Sequence, residues 1–325
     1  NAMRNLIFSL SKTPNKIEDA LTTQVSLFSL FNEISKSLAL LKDNDTFFTY
    51  GGGMHVKAGS TVILDDGTLI EKNKAKYGGG VYNAGTLYLI GTACIGDKNA
   101  TSLAVRGSYD TCSNESTYAG GGLYNVGTLY LGTDEKALTG GIYYNCGLTI
   151  WGGGIYNTDN GTVIMKSGNI AYNDGQETCG GIEIVSGSLT MTGGSIHHNS
   201  TGGKGGGVLL KPGAIFNFGG GTISANWATG GGGGVVIDSS ESSPSIMYMY
   251  GTAVIGDKTK TSAPESREGA NGTNGNGAGI CVNGGRLYMG YKSYTSESDN
   301  EPVDLNGGIY YNYCSSTNND SKGGG

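Results

Sequence analysis

Few side chains in this sequence have the types and spacing that chemistry needs. Glycoside hydrolysis requires two carboxylates flanking the scissile bond. Asp159, Asp174, Glu177 and Glu183 lie in the most regular part of the chain, yet at non-equivalent places in its repeat. Asp65 and Asp66 fall in a bend, where aspartate is favoured simply as a turn residue. His197 and His198 are neighbours; neighbours on a strand face opposite ways, so the pair is not expected to clasp a metal jointly. Glycine strings such as 230–234 lack the strand-then-helix context of a phosphate cradle. The calcium-binding Gly-Gly-x-Gly-x-Asp nonapeptide is missing. These residues predict no catalytic constellation, no metal site and no cofactor.

The cysteines add little. Cys94, Cys112, Cys146, Cys179, Cys281 and Cys314 form no Cys-x-x-Cys pair and no metal-ligand spacing. Free thiols are expected; Cys94 and Cys112 flank one insertion and are the pair that a disulfide would join. Tyrosine is more informative, with 20 residues in a chain of 325. Where those rings point depends on the elements that carry them.

Those elements are set by a repeat. Gly153-Gly154-Ile155, Gly180-Gly181-Ile182, Gly206-Gly207-Val208 and Gly233-Gly234-Val235 recur every 26 or 27 residues. Between them stand an apolar strand (162–165, 188–191) and an Ile-x-x-Asn unit (170–173, 196–199, 223–226). A fixed period of this size marks a solenoid. Three short runs of alternating or β-branched residues, broken by Gly, Asn, Ser and Asp, predict three strands and three bends per period. The expected fold is all-β: a right-handed, single-stranded parallel β-helix of about eight three-strand coils over 51–325. The 60 glycines follow no strict triplet, which excludes collagen, and the 5 prolines are too few for a linker or stalk of the mucin kind.

Alternation along each strand then assigns faces. Val163 and Met165, Leu189 and Met191, Phe216 and Phe218 point inward and stack coil on coil. The asparagines Asn73, Asn145, Asn173, Asn199, Asn226 and Asn312 predict a ladder of amides, because Asn tolerates left-handed backbone and bonds its equivalent one coil on. Two outward rows emerge. One carries Ile63, Tyr88, Tyr130, Ile164, Thr190, Asn217, Tyr248 and Tyr288; the other carries His55, Tyr82, Tyr124, Tyr156, Glu183, Leu209, Val236 and Cys281. Their tyrosines have two readings: cross-strand stacking that supports the sheet, or an aromatic strip that docks a glycan or a protein. On the second reading the ligand-binding residues are Tyr82, Tyr88, Tyr124, Tyr130, Tyr156, Tyr248 and Tyr288.

The ends and insertions depart from the repeat. Asn1, Ala2 and Met3 look like a tag remnant. Residues 4–50 carry an apolar face from Ile17 to Leu41 at three- and four-residue steps, which predicts an amphipathic helix capping the open end of the solenoid. A membrane-surface helix is the other reading, opposed by a polar face of mixed charge. Long polar insertions near 99–119 and 259–276 follow the related runs 91–98 and 251–258, about 160 residues apart, so both are expected at one bend. There Lys98 and Lys258 stand where the ladder Asn is expected. The closing Gly323, Gly324 and Gly325 read as the start of another coil, so a longer protein is expected. Net charge is −6 with Lys and Arg scattered singly, which predicts no nucleic-acid partner. No apolar run is long enough to span a bilayer.

Gly-Gly-Ile/Val/Leu alternating with Ile-x-x-Asn resembles the Gly-Gly-Ala-Ile and Phe-x-x-Asn repeats of polymorphic outer-membrane proteins, bacterial autotransporters with β-helical adhesin passengers. The resemblance covers about 51–322 and is carried by the glycine pairs at 79–80, 121–122, 153–154, 180–181 and 206–207 and by the ladder asparagines. Ile stands where that family has Phe, and no membrane barrel is present. The resemblance implies an extracellular or bacterial cell-surface module, adhesin-like, with a host protein or glycan as partner. A carbohydrate-active lyase- or hydrolase-like β-helix and a passive stalk are the alternatives. Oligomeric state leaves no signal in the sequence.

Overall fold

The computed structural model describes residues 40–42, 44–99, 112–148, 151–240, 242–260, 269–293 and 302–314. Among these there is no helix, and so none long and apolar enough to cross a membrane. Short strands stack in parallel, each on its equivalent one period away, as a parallel β-solenoid. The fourth coil is representative: Ile155–Asn157, Thr162–Met165, Asn169–Ala171 and Asp174–Gly175. Coils therefore carry four strands where three are expected. The extra break comes from backbone geometry. Tyr172 takes φ 58°, as do its equivalents Lys72, Tyr144, His198, Ala225 and Tyr311 at φ 56°, 57°, 54°, 54° and 40°. The left-handed residue is thus the one before the ladder Asn, not the Asn itself. Each costs about 1–2 kcal/mol as an L-residue and persists because the packing around it fixes the bend.

The strands that follow the glycine pairs form an eight-stranded sheet, and those that follow the ladder Asn form a nine-stranded one. The two remaining stacks join in a 15-stranded sheet, because Ile215–Ser224 and Ile246–Gly256 run through both without a break. Inside lies one continuous apolar core. Leu87, Leu129, Val163, Leu189, Phe216 and Met247 sit in one register, all fully buried. Burying a side chain of this size contributes roughly 1.5–3 kcal/mol, so these columns dominate stability.

At the next corner runs a column of amides, buried from Asn73 onward. Asn44 donates to Asn73, Asn73 to Asn114, Asn114 to Asn145, and so on through Asn173, Asn199, Asn226 and Asn271 to Asn312, with Nδ2–Oδ1 distances of 2.8–3.0 Å. From Asn114 to Asn271 each amide also donates to a carbonyl of the preceding coil, as Asn199 does to Ile170 O at 2.8 Å, while Asn312 donates to Tyr310 O of its own coil. Asn114 and Asn271 hold this column where the long insertions were expected to break it; Lys98 and Lys258 take no part. The physical reason is that a coil without its Asn strands buried donors on one side and acceptors on the other. The chain leaves after Ile95 and Ile255, in matching positions of the Ile column, and returns in time to supply the amide. Residues Asn114–Ala119 and Gly272–Thr273, expected within irregular loops, are strands.

The expected N-terminal helix lies outside the described residues up to residue 39, as does the tag remnant. Its last positions are corrected. Leu40 and Leu41 belong to strand Leu40–Lys42, paired with Leu69–Glu71, and Asp45–Tyr50 pairs with Asn73–Tyr77, so among the described residues strands are already present from 40, ahead of 51. The cysteine expectation is corrected too: Cys112 pairs with Cys146, 34 residues on, at a Cα separation of 5.7 Å. Cys94 is a buried free thiol. The bridge fastens the end of the first insertion to the adjoining coil.

Candidate binding surface

Outward residues of equivalent strands line up in lanes along the solenoid. Ile63, Tyr88, Tyr130, Ile164, Thr190, Asn217, Tyr248 and Tyr288 form one unbroken register. In it Tyr88 stacks on Tyr130 at 4.5 Å and 6° between planes, and Tyr248 on Tyr288 at 5.4 Å and 17°. Ile63, at one end, is 60% exposed.

His55, Tyr82, Tyr124, Tyr156, Glu183, Leu209, Val236 and Cys281 form the second register. This lane faces away from the core, yet half of it is not a surface. Tyr156 is 7% exposed, and Glu183, Leu209 and Val236 are buried outright. The cause lies in the glycine turns leading into these strands. A Cβ on Gly205 (φ 74°) would stand 2.8 Å from Leu209 Cβ, and one on Gly232 (φ 61°) 2.1 Å from Val236 Cγ2. The turns lie flat on the lane, with Cys179, Leu209 and Val236 sealed beneath them as a small second apolar cluster.

Beside the aromatic half of this lane runs a third, which the alternation argument missed: Tyr50, Tyr77, Tyr118 and Trp151. The rings join across lanes. Tyr82–Tyr124 and Tyr124–Tyr156 stack at 5.3 and 5.1 Å, Tyr50–Tyr77 at 5.1 Å, and Tyr77–Tyr118 and Tyr118–Trp151 meet edge-on at 5.0 and 4.8 Å. Tyr50–Tyr82, Tyr77–Tyr124 and Trp151–Tyr156, at 4.6, 5.3 and 5.9 Å, tie the two lanes together. Tyr50 is 49% exposed. Lys76 Nζ lies over the Tyr77 and Tyr118 rings, 5.1 and 5.5 Å from their centroids. Burial, with the charge of Asp159 near Tyr124 and of Glu183 near Tyr156, pushes both hydroxyls far above their ordinary value, so they stay protonated donors. A readable signal existed: Tyr50, Tyr77 and Trp151 each stand directly before three glycines. The seven tyrosines expected to bind thus fall into three groups: Tyr82, Tyr124 and Tyr156 in this patch, Tyr88 with Tyr130, and Tyr248 with Tyr288.

Asp65 and Asp66 both accept from Lys136 Nζ, at 2.5 and 2.8 Å, and these hydrogen bonds hold Asp66 below its ordinary value. Glu183 is sealed under its turn. Its Oε2 accepts from Thr178 Oγ1 at 2.7 Å, while Oε1 accepts no hydrogen bond and has Lys211 Nζ at 3.9 Å. Burial pushes this carboxyl up to about 7, against the smaller pull of Thr178 and Lys211. His197 and His198 depart from expectation. The left-handed backbone at His198 swings its ring onto that of His197, with the two Nδ1 atoms 2.8 Å apart. Burial holds both imidazoles below their ordinary value, His197 at about 4. No family model matches this chain, and neither a curated protein nor a solved structure matches it.

Proposed function

We propose that this chain is a right-handed β-helical binding module of a bacterial surface-displayed or secreted protein, adhesin-like, that docks a host glycan on the aromatic patch of its first four coils. The observation that carries this reading is the gathering of Tyr50, Tyr77, Tyr118, Trp151, Tyr82, Tyr124 and Tyr156 into one connected patch. Amphipathic rings with one polar edge suit a ligand that is apolar on its faces and hydroxylated at its rim, and Lys76 adds a cation for an acidic sugar. The Cys112–Cys146 bridge supports an oxidising compartment. A right-handed coil follows from the strong preference of parallel crossover connections for that hand. The repeat likeness to polymorphic outer-membrane proteins supports display and adhesion by analogy alone.

A passive stalk is the second reading, favoured by a specific feature. In stacks such as Tyr88–Tyr130 and Tyr82–Tyr124 the rings lie within 6° and 12° of parallel, so they spend their faces on each other and offer edges outward. Glycan-array binding distinguishes the two. A Tyr50→Ala/Tyr77→Ala/Tyr124→Ala variant is expected to lose binding, while Tyr88→Ala/Tyr130→Ala keeps it. Retention by the first variant removes the patch as the site, and no binding by the unaltered protein favours the stalk.

A further inference from the structure

The adjacent histidines sit where every coil bends. Ser195–His197 is a strand in register with Asn169–Ala171 on one side and Thr222, Ile223 and Ser224 on the other. The next residue takes the left-handed conformation (His198, φ 54°), so two consecutive side chains that would diverge on a strand lie on the same side. In most coils this pair is unable to chelate: Glu71 with Lys72, Ala171 with Tyr172, Ser224 with Ala225. In this coil alone among the described ones it is two imidazoles. Tyr172 of the preceding coil walls the pair, stacked on His198 at 4.9 Å and 21° and edge-on to His197 at 5.9 Å. Both rings are therefore held side by side before any ligand arrives, with His198 on the solvent side.

We propose that His197 and His198 form a two-imidazole chelate, through both Nδ1 atoms, for a divalent late transition metal that favours right-angled nitrogen ligation, Cu2+ or Ni2+. The separation bears on the geometry. An ion about 2.0–2.1 Å from each nitrogen holds them about 2.9 Å apart at a right angle and about 3.4 Å apart at the tetrahedral angle. The 2.8 Å of the metal-free hydrogen-bonded pair lies nearer the right-angled separation, so a square-planar or tetragonal ion asks for the smaller movement of the rings. In the metal-free pair one Nδ1 carries the hydrogen and donates to the other. On binding, that ring takes its Nε2–H tautomer, both Nδ1 lone pairs turn to the ion, and no net proton is released from the neutral pair. Among the described residues no group of three or more His, Cys, Asp or Glu surrounds an ion position, so the other coordination positions belong to water or to an incoming ligand.

The chain has 3 histidines, and His55 belongs to a different strand stack, so the assignment is testable without ambiguity. Calorimetric titration with NiCl2 in a non-coordinating buffer is expected to show one saturable site in the unaltered protein. His197→Ala and His198→Ala are each expected to weaken it by about tenfold or more, and His55→Ala to leave it unchanged. Equal affinity in the unaltered protein and in a His197→Ala/His198→Ala variant overturns the proposal, as does loss of binding only with His55→Ala. Because a variant at this bend can alter folding, Cu2+ electron paramagnetic resonance on the unaltered protein, with less than one equivalent of CuCl2, supplies an independent readout. Coupling to two equivalent imidazole nitrogens is expected, and its absence overturns the site.

Discussion

Coils two to four and coils five to seven have the same backbone and opposite chemistry. In the first group the outward lane is Tyr82, Tyr124 and Tyr156, and the residue after each is a buried Asn. Asn83 donates to Asn125 at 2.7 Å and Asn125 to Asn157 at 2.6 Å, a second amide column that ends by donating to Gly161 O and Ser186 O. In the second group the same two positions hold Glu183, Leu209 and Val236 outside and Ile184, Leu210 and Ile237 inside. One strand stack thus tolerates a polar or an apolar lining at a single register. What both groups share is the glycine pair, the left-handed bend and the first Asn column. Those features set the coil, and the lanes are free to vary.

The largest effect should therefore come from the shared column, and it should be alike in both groups. Asn199 Oδ1 accepts from Asn173 N and Nδ2, and its Nδ2 donates to Ile170 O and Asn226 Oδ1. Asn145 has the same partners shifted by two coils: Asn114, Asn173 and Ile95 O. Each buried group left without its partner costs about 1–3 kcal/mol, partly relieved by relaxation. Asn145→Ala and Asn199→Ala should each lower stability by about 4 kcal/mol, read as a fall in the chemical unfolding midpoint. A cost at Asn199 that is absent at Asn145 would mean that the two groups do not share a scaffold.

Glu183 marks the border between the groups, between Tyr156 and Leu209, and its effect should depend on pH. Its folded value of about 7 lies above the ordinary 4.5, so between these the folded state holds more protons than the unfolded one. Its contribution is fully present below pH 4.5 and is lost as pH rises through 7, about 3 kcal/mol in all. His197, held at about 4, contributes the opposite slope below its ordinary value, so the informative quantity is a difference. Glu183→Gln should match the unaltered protein at pH 4.5 and exceed it by up to about 3 kcal/mol at pH 8.5. A difference that does not change with pH would put the carboxyl in contact with water.

The shared features are also the legible ones. Gly-Gly and Ile-x-x-Asn recur at 26 or 27 residues, and that period alone puts Val163, Leu189 and Phe216 in one column. Alternation correctly separates inward from outward along strands such as Thr162–Met165 and Ser188–Met191. It fails where facing outward is not the same as being exposed: nothing in the composition of Gly205 or Gly232 says that their turns fold back over Leu209 and Val236. It also fails at Tyr77 and Tyr118, because the strands Asn73–Tyr77 and Asn114–Ala119 shift register between Ser116 and Ala119. The long insertions misled for a related reason. Counting from the repeat assigned the ladder position to Lys98 and Lys258, whereas satisfying a buried amide sent it to Asn114 and Asn271 beyond the insertion.

The second amide column offers a sharper test of how free the lanes are. Asn125→Leu alone imports the residue found in the other group, but it takes one of two acceptors from Asn83 Nδ2, which keeps Thr128 O, and the Asn125 donor from Asn157 Oδ1, and should cost about 2 kcal/mol. Asn83→Ile/Asn125→Leu/Asn157→Ile removes the column as a whole. Gly127 O and Gly161 O keep their backbone donors Thr162 N and Ser188 N, while Gly85 N loses Asn83 Oδ1 at the partly buried end of the column. The triple variant should recover most of the loss, because replacing all partners of a polar network by apolar groups is far cheaper than breaking it. A triple variant three times as costly as the single one would show that amide bonding, not apolar packing, holds the Tyr-Asn coils together.

Tyr130→Thr should have the smallest effect on stability and decides most about the rings. Thr190 occupies the same lane two coils on, so the exchange is one that the scaffold already accepts. Tyr130 stacks on Tyr88 at 4.5 Å, a pair worth about 0.5–1 kcal/mol beyond burial. Thr is itself a good strand residue and returns part of that loss. The expected change in unfolding midpoint corresponds to less than about 1 kcal/mol. If it is that small, the scaffold has no need of tyrosine in this lane, and contact with a ligand becomes the stronger reason for an aromatic surface confined to part of the solenoid. If instead the loss exceeds about 2 kcal/mol, the stacks are girders, and the seven expected binding tyrosines belong to the fold before they belong to any ligand.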